Sequence, residues 1–196
     1  MIENNLNINS TDDELIESFK GGNKNAFNLI VMKYQKKVYW TVRKMVLDHD
    51  DADDLTQEVF IKLYKSLGEF RGESKLFTYV YKMAINYSLN HLNRNKKILS
   101  RKSAVDNSQL RSYDKIADEE ISSKERTMLL EEAIRSLPEQ QRAVFNMRYY
   151  DNLTYEEISG ILNKSVGGMK ANYFHAIKKI EKFLKGSIKF ELSEIN

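Results

Sequence analysis

Three groups of residues in this chain have the types and spacing to make specific contacts. The first is acidic and polar. Within Asp51-Ala52-Asp53-Asp54-Leu55-Thr56-Gln57-Glu58, the residues Asp54, Gln57 and Glu58 lie at i, i+3 and i+4, a spacing that gathers them on one helical face. Leu55, Val59, Leu63 and Leu67 form the opposite, apolar stripe, so Asp54, Gln57, Glu58 and Lys62 face outward. Carboxylates here can cap the start of a helix, where the macrodipole favours them, hold a cation, or grip a partner protein. No histidine accompanies them, which argues against the cation.

The second group is aromatic and basic. The run LFTYVYKMAINYSLNHLNRNKK interleaves Phe77, Tyr79, Tyr81 and Tyr87 with Lys82, Asn86, Asn90, Asn93, Arg94, Lys96 and Lys97. Exposed rings stack on unpaired bases, while Asn and Lys side chains read base edges and phosphates. The competing assignment for aromatics at helical spacing is the core. The apolar face of Leu76, Val80, Met83/Ala84 and Leu92 absorbs some of them but not all.

The third group is LTYEEISGILNKSVGGMKANYFHAIKKI, residues 153–180. Thr154-Tyr155-Glu156-Glu157 is a capping box that starts a helix, with Ile158, Ile161 and Leu162 as its apolar stripe. Asn163-Lys164-Ser165 breaks the helix, and Ser165 can cap a second one. There, Val166, Met169, Tyr173, Ala176/Ile177 and Ile180 recur at helical spacing and pack inward. Lys170, Asn172, Phe174, His175, Lys178 and Lys179 are left on other faces. A short helix, a tight turn and a second helix with a polar, basic outer face suit the DNA major groove. An ordinary helical hairpin is the alternative.

Other chemistry is excluded by what is missing. There are no cysteines, and His49, His91 and His175 stand at least 42 residues apart, so thiolate, disulfide and histidine-cluster metal sites are not expected. No nucleophile, base and orienting group come together, so neither catalysis nor a cofactor is expected. No apolar run approaches the roughly 20 residues that span a bilayer. The opening MIENNLNINSTDDE has neither the basic start nor the apolar segment of a secretory signal. The expectation is a cytoplasmic protein without membrane insertion. Net charge is only +3, but residues 61–105 carry 10 basic and 2 acidic side chains and residues 161–196 carry 7 and 3. The segments around them are acidic. Two separated basic blocks are the footprint of a protein that meets nucleic acid twice.

The elements that must position these groups are nearly all helices. Thr11-Asp12-Asp13-Glu14 caps a helix carrying Leu15, Ile16 and Phe19 that stops at Gly21-Gly22. A second helix runs from about Lys24 to Leu47, with Phe27, Ile30/Val31, Tyr34, Val38, Val42 and Met45/Val46 inward. Residues 48–51 read as a turn, a third helix reaches about Leu67, residues 68–74 form a loop, and a fourth helix runs to about Asn95. Residues 96–124 are polar and rich in Ser and Lys, a linker of 29 residues that could stretch to at most about 96 Å. Helices at 123–136 and 138–150 then precede the helix-turn-helix, with Pro138 in a first turn, where proline is welcome. The expected fold is all-α: two small helical domains, residues 1–95 and 125–196, joined by a flexible linker.

Taken in order, AFNLIVMKYQKKVY, DADDLTQEVFIKLYK, FRGESKLFTYVYKMAINYSLNHL, LPEQQRAVFNMRYYDNLTYEEIS and SVGGMKANYFHAIKKI resemble the bacterial RNA polymerase sigma factors of the extracytoplasmic-function (ECF) type. The likeness covers about residues 12–95 and 124–185. It implies a second domain of the winged-helix-like, sigma region four type. It also implies that Asp54, Gln57 and Glu58 grip a coiled coil of the largest polymerase subunit. Phe77, Tyr79, Lys82, Asn86 and Asn90 would melt and read the minus-ten element, with a flipped base near Asn86. Ser165, Lys170, Ala171, Asn172, Phe174, His175 and Lys178 would meet the minus-thirty-five element. The implied partners are core RNA polymerase, promoter DNA both duplex and melted, and an anti-sigma factor, and the polymerase does the chemistry.

The sequence departs from the family at several of these positions. The family's usual Trp is Tyr79, and basic residues expected at 172, 175 and 177 are Asn, His and Ile. Fewer phosphate contacts would flatten the salt dependence of upstream binding. Two other readings share these motifs: a helix-turn-helix regulator that binds duplex DNA without polymerase, and a sigma-like interaction module that only occupies a regulator. The first leaves residues 1–95 unexplained.

Overall fold

The computed structural model describes residues 6–102 and 123–193. Among the described residues there are eight α-helices, one 3-10 turn and no strand. They divide into two compact units, Met1–Asn90 and His91–Asn196.

The first unit opens with α1, Asp12–Lys20, started by a complete capping box. The Thr11 amide donates to Glu14 Oε2 at 2.7 Å and the Glu14 amide to Thr11 Oγ1 at 3.3 Å. Hydrogen bonds to the carboxylate from the Thr11 amide first, and the Thr11 side chain second, hold Glu14 below the usual carboxylate range. Asp12 then ties α1 to α2, Lys24–Val46. Its carboxylate accepts Lys33 Nζ at 2.7 Å and the Tyr34 hydroxyl at 2.6 Å. Burial first, and the Asp12 hydrogen bond second, push the Tyr34 phenol well above its ordinary value.

α2 ends on Leu47 in the left-handed region, φ 66°. The expected turn over residues 48–51 is shorter than its sequence suggests, because α3, His49–Ser66, begins immediately after Asp48. Asp48 Oδ1 accepts the Asp51 amide at 3.0 Å, so the aspartate run initiates the helix rather than interrupting it. A 3-10 turn, Leu67–Glu69, leads by a short loop into α4, Leu76–Lys102. This helix continues beyond Asn95, so residues 96–102 of the expected linker are helical; residues 103–122 lie outside the described residues. Leu15, Ile30, Val38, Val42, Val59, Leu63, Leu67, Leu76 and Val80 form the core of this unit, each at most 2% exposed.

In the second unit, α5 (Ser123–Arg135), α6 (Glu139–Tyr149), α7 (Tyr155–Leu162) and α8 (Val166–Ser193) follow in order, Pro138 serving as the N-cap of α6. Ala133, Ile134, Leu137, Phe145, Ala176 and Ile180 make a shared core. The corner between α5 and α6 is closed by Arg142. Its buried Nη2 donates to the carbonyls of Arg135 at 3.1 Å and Leu137 at 3.2 Å. The Arg135 carbonyl ends α5, whose last turn has no amides of its own left to satisfy it, and the Leu137 carbonyl lies in the corner that follows. No β-wing accompanies the helix-turn-helix among the described residues.

Candidate nucleic-acid interface

The acidic face on α3 is built as its spacing requires. Leu55, Val59 and Leu63 point into the core, and Asp54, Gln57, Glu58 and Lys62 are all exposed. One turn further on, the same side carries two exposed apolar side chains, Ile61 at 56% and Tyr64 at 41% exposure. The Tyr64 ring is braced edge-on against Phe19 and Phe27, centroids 5.3 and 5.0 Å away.

α4 corrects one expectation. Its aromatics are not open stacking platforms. Tyr81 is buried, and Phe77, Tyr79 and Tyr87 are half-buried against the core. Phe77 stacks on Tyr34 at 5.8 Å, and Tyr79 packs on Phe70 at 5.0 Å while its hydroxyl reaches Ser66 Oγ at 3.2 Å. The reason is the width of the buried face: Leu76, Val80, Ala84 and Ser88 form one i, i+4 row, and Tyr81 and Ile85 a second beside it. Asn86 and Asn90 remain exposed on the outer side, with Lys82 half-buried near the same edge. Asn86 and Asn90 are therefore left in solvent, above aromatics packed under the helix.

The helix-turn-helix has the geometry its capping signals specify. The Thr154 amide donates to Glu157 Oε2 at 2.8 Å and the Glu157 amide to Thr154 Oγ1 at 3.2 Å. α7 ends on Asn163 in the left-handed conformation, φ 54°, with its amide bonded to the Ser159 carbonyl. The Ser159 hydroxyl donates to the Lys164 carbonyl and holds the turn. Ser165 Oγ accepts the Gly168 amide at 3.2 Å, which caps α8. A side chain at position 168 would place its Cβ 3.1 Å from that oxygen, so the glycine there leaves room for the cap. Met169, Ala176 and Ile180 are buried, as their spacing requires.

On the outer face, Lys170, Ala171, Phe174, His175 and Lys178 are exposed, Phe174 to 58%. His175 and Lys178 flank the Phe174 ring at 5.7 and 5.9 Å, and Lys178 also pairs with Glu181 at 3.3 Å. Asn172 differs from its expected place. It is half-buried, and its Nδ2 donates to the Gly168 carbonyl at 2.9 Å, so its amide is engaged with its own helix. The sequence reading also missed Tyr155, which sits between two cations. The Arg148 guanidinium lies 5.3 Å and Lys170 Nζ 5.9 Å from its ring centroid. Arg148 further donates to the Leu153 carbonyl at 3.0 Å. The available signal was an aromatic directly after an N-cap and off the Ile158/Ile161 stripe.

The comparisons with known proteins agree with this arrangement. The sequence matches the families described as Sigma-70 region 2, over residues 30–98, and Sigma-70, region 4, over residues 127–180. It is 35% identical to the RNA polymerase sigma-H factor of Pseudomonas aeruginosa, across 89% of this chain and 94% of that protein. It is 37% identical to the ECF RNA polymerase sigma-E factor of Escherichia coli K12, across 87% and 93%. Two solved structures share the fold at 16% identity. One is the sigma factor RpoE in complex with the anti-sigma factor NepR from Bartonella quintana, TM-score 0.62, covering 81% of this chain and 96% of that one. The other is CnrH in complex with the cytosolic domain of CnrY, TM-score 0.61, covering 90% and 99%. With relatives aligned through both helical units at this identity, the chain belongs to the bacterial RNA polymerase sigma factors of the ECF type, which direct polymerase to promoters.

Proposed function

We propose a division of labour in which three separate surfaces of this sigma factor each hold one part of the initiation complex. Asp54, Gln57 and Glu58 grip a coiled coil of the largest subunit of core RNA polymerase. Asn86 and Asn90, with Lys82, take the melted minus-ten strand and a flipped base near Asn86. Phe77 and Tyr79 set the position of that helix and offer only their exposed edges. The outer face of α8, with Ser165, Lys170, Ala171, Phe174, His175 and Lys178, reads the minus-thirty-five element in duplex DNA. Residues 1–95 thus carry polymerase binding and melting, residues 125–196 upstream recognition, and residues 96–124 join them. The protein works in the cytoplasm, contributes no catalytic group of its own, and is bound by an anti-sigma factor, as the RpoE neighbour is in its complex with NepR.

The observation that carries this reading is the helix-turn-helix itself. Its core side is closed by Met169, Ala176 and Ile180, and its outer side presents an exposed Phe174 between His175 and Lys178. An exposed apolar ring bordered by nitrogen donors suits thymine methyls next to phosphates. Transcription from a cognate promoter by purified core polymerase, with and without the protein, is the test. Promoter-dependent transcripts that require the protein support it. Binding to duplex promoter DNA without any polymerase-dependent transcript would refute it in favour of a stand-alone regulator.

A further inference from the structure

The outward cations of the recognition helix are not held in the same way. Lys178 is tied to Glu181 at 3.3 Å. Lys170 is exposed one turn into α8, and among the described residues no hydrogen bond or ion pair engages its Nζ. Its contact is an aromatic ring on the preceding helix: Nζ lies over Tyr155, 5.9 Å from the centroid. An ammonium in that position is attracted by the negative face of the π system. An unheld lysine, by contrast, is a mobile point charge on a four-carbon stem, and it loses that freedom whenever it settles on a base or a phosphate.

The ring is fixed by the fold itself. Tyr155 is the first residue of α7, directly after the Thr154 N-cap, so the Thr154/Glu157 capping box sets its backbone. It is half-buried and meets the Tyr173 ring of α8 edge-on at 6.1 Å. The Arg148 guanidinium of α6 lies over the same ring at 5.3 Å and is anchored in turn by the Leu153 carbonyl at 3.0 Å. Three helices therefore converge on one side chain, and Lys170 is the exposed member of the set. Bracing alone would be served by a leucine at this place, whereas only an aromatic face also collects cations. No hydrogen bond among the described residues uses the Tyr155 hydroxyl, which leaves the ring as the working part.

We infer that Tyr155 is a positioning residue for promoter recognition: its ring holds the Lys170 ammonium toward a base edge of the upstream element instead of leaving it to settle on any phosphate. The inference rests on the proposed role of α8 in reading that element, and it gives Tyr155 no DNA contact of its own. A lysine held by a ring keeps N–H donors on the side away from the ring, open to acceptors such as guanine O6 and N7. The consequence is specificity. Removing the ring leaves the charge in place, so binding to any duplex persists, while the advantage of the cognate element over a scrambled one shrinks.

Equilibrium binding of reconstituted holoenzyme to two promoter fragments, with the upstream element intact or scrambled, measures that advantage as a ratio of affinities. Tyr155→Leu should cut the ratio about two- to fivefold, the scale of one exposed cation–π contact. It should leave the slope of affinity against salt unchanged, because no charge is lost. Tyr155→Phe should keep the parent ratio. In a Lys170→Ala background, where the cation is absent, Tyr155→Leu should have no further effect. Thermal melting followed by circular dichroism shows which variants fold, and Tyr155→Met takes the place of the leucine variant if that one does not. Additive losses in the double variant overturn the inference, as does an equal loss in Tyr155→Phe or a parent-like ratio in Tyr155→Leu. A rise in the ratio would show that the ring competes with DNA for Lys170 and overturns it too. If neither apolar variant folds, the ring is a structural brace and the inference fails. A parent ratio in Lys170→Ala would remove both this inference and the reading of the upstream element by Lys170, whereas failure at Tyr155 alone leaves that reading standing.

Discussion

Replacing Phe174 with alanine tests the recognition surface most directly, because the structure separates its effect on binding from any effect on folding. The ring is 58% exposed and lies off the Met169/Ala176/Ile180 core row, so the variant should melt within a degree or two of the parent. A phenylalanine side chain presents about 150–250 Å², which leaves on the order of 100 Å² of this one in water. Covering all of it on DNA would contribute about 2.5 kcal/mol at 25 cal/mol/Å². Bases reach one side of the ring, so roughly 1–2 kcal/mol is the expected loss, or about five- to thirtyfold in binding. The assay is transcription by reconstituted holoenzyme from two templates, one with the intact upstream element and one with that element scrambled. The variant should lose that factor on the intact template and almost nothing on the scrambled one. Equal losses on both templates would show that α8 does not read this element through Phe174, and a large drop in melting temperature would show that the ring is structural.

Charge reversal at Asp54 and Glu58 should weaken pull-down of core polymerase while circular dichroism stays unchanged, since both side chains are exposed and opposite the Leu55/Val59/Leu63 row; undiminished capture would remove α3 from the polymerase contact. Asn86→Ala should reduce permanganate reactivity of promoter thymines without affecting polymerase binding, and a pre-melted promoter should rescue it only in part. Gly167→Ala should stabilise the second unit by up to about 1 kcal/mol in thermal unfolding, because a Cβ there meets nothing, whereas Gly168→Ala should gain less because its Cβ crowds the Ser165 hydroxyl. For pH, Glu14 is held below its ordinary value by the Thr11 hydrogen bonds. Its contribution is complete above the unfolded carboxylate value and lost as pH falls through the depressed folded one. Glu14→Gln should therefore flatten the acid limb of the stability curve and change nothing in its alkaline limb.

Local rules made much of this protein legible from its residues. Thr11/Glu14 and Thr154/Glu157 are three residues apart, so the capping boxes could be read without knowing what the helices pack against. Asn163 and Ser165 marked the turn between α7 and α8 for the same reason: each acts on backbone groups within a few residues of itself. The exposed side of α3 followed from the i, i+4 row of Leu55, Val59 and Leu63, and the order of five motifs indicated the family. What depended on the width and partners of a buried face was not local. The aromatics of α4 looked available because one apolar row was counted, and only packing against α2 and the 3-10 turn showed that Phe77 rests on Tyr34 and Tyr79 on Phe70. Asn172 belongs to the outer side by its spacing, yet the Gly168 carbonyl one turn back takes its amide. A hydrogen bond or row within one turn is dictated by sequence neighbours, whereas exposure is a property of everything that packs around a residue, and only the tertiary structure decides that.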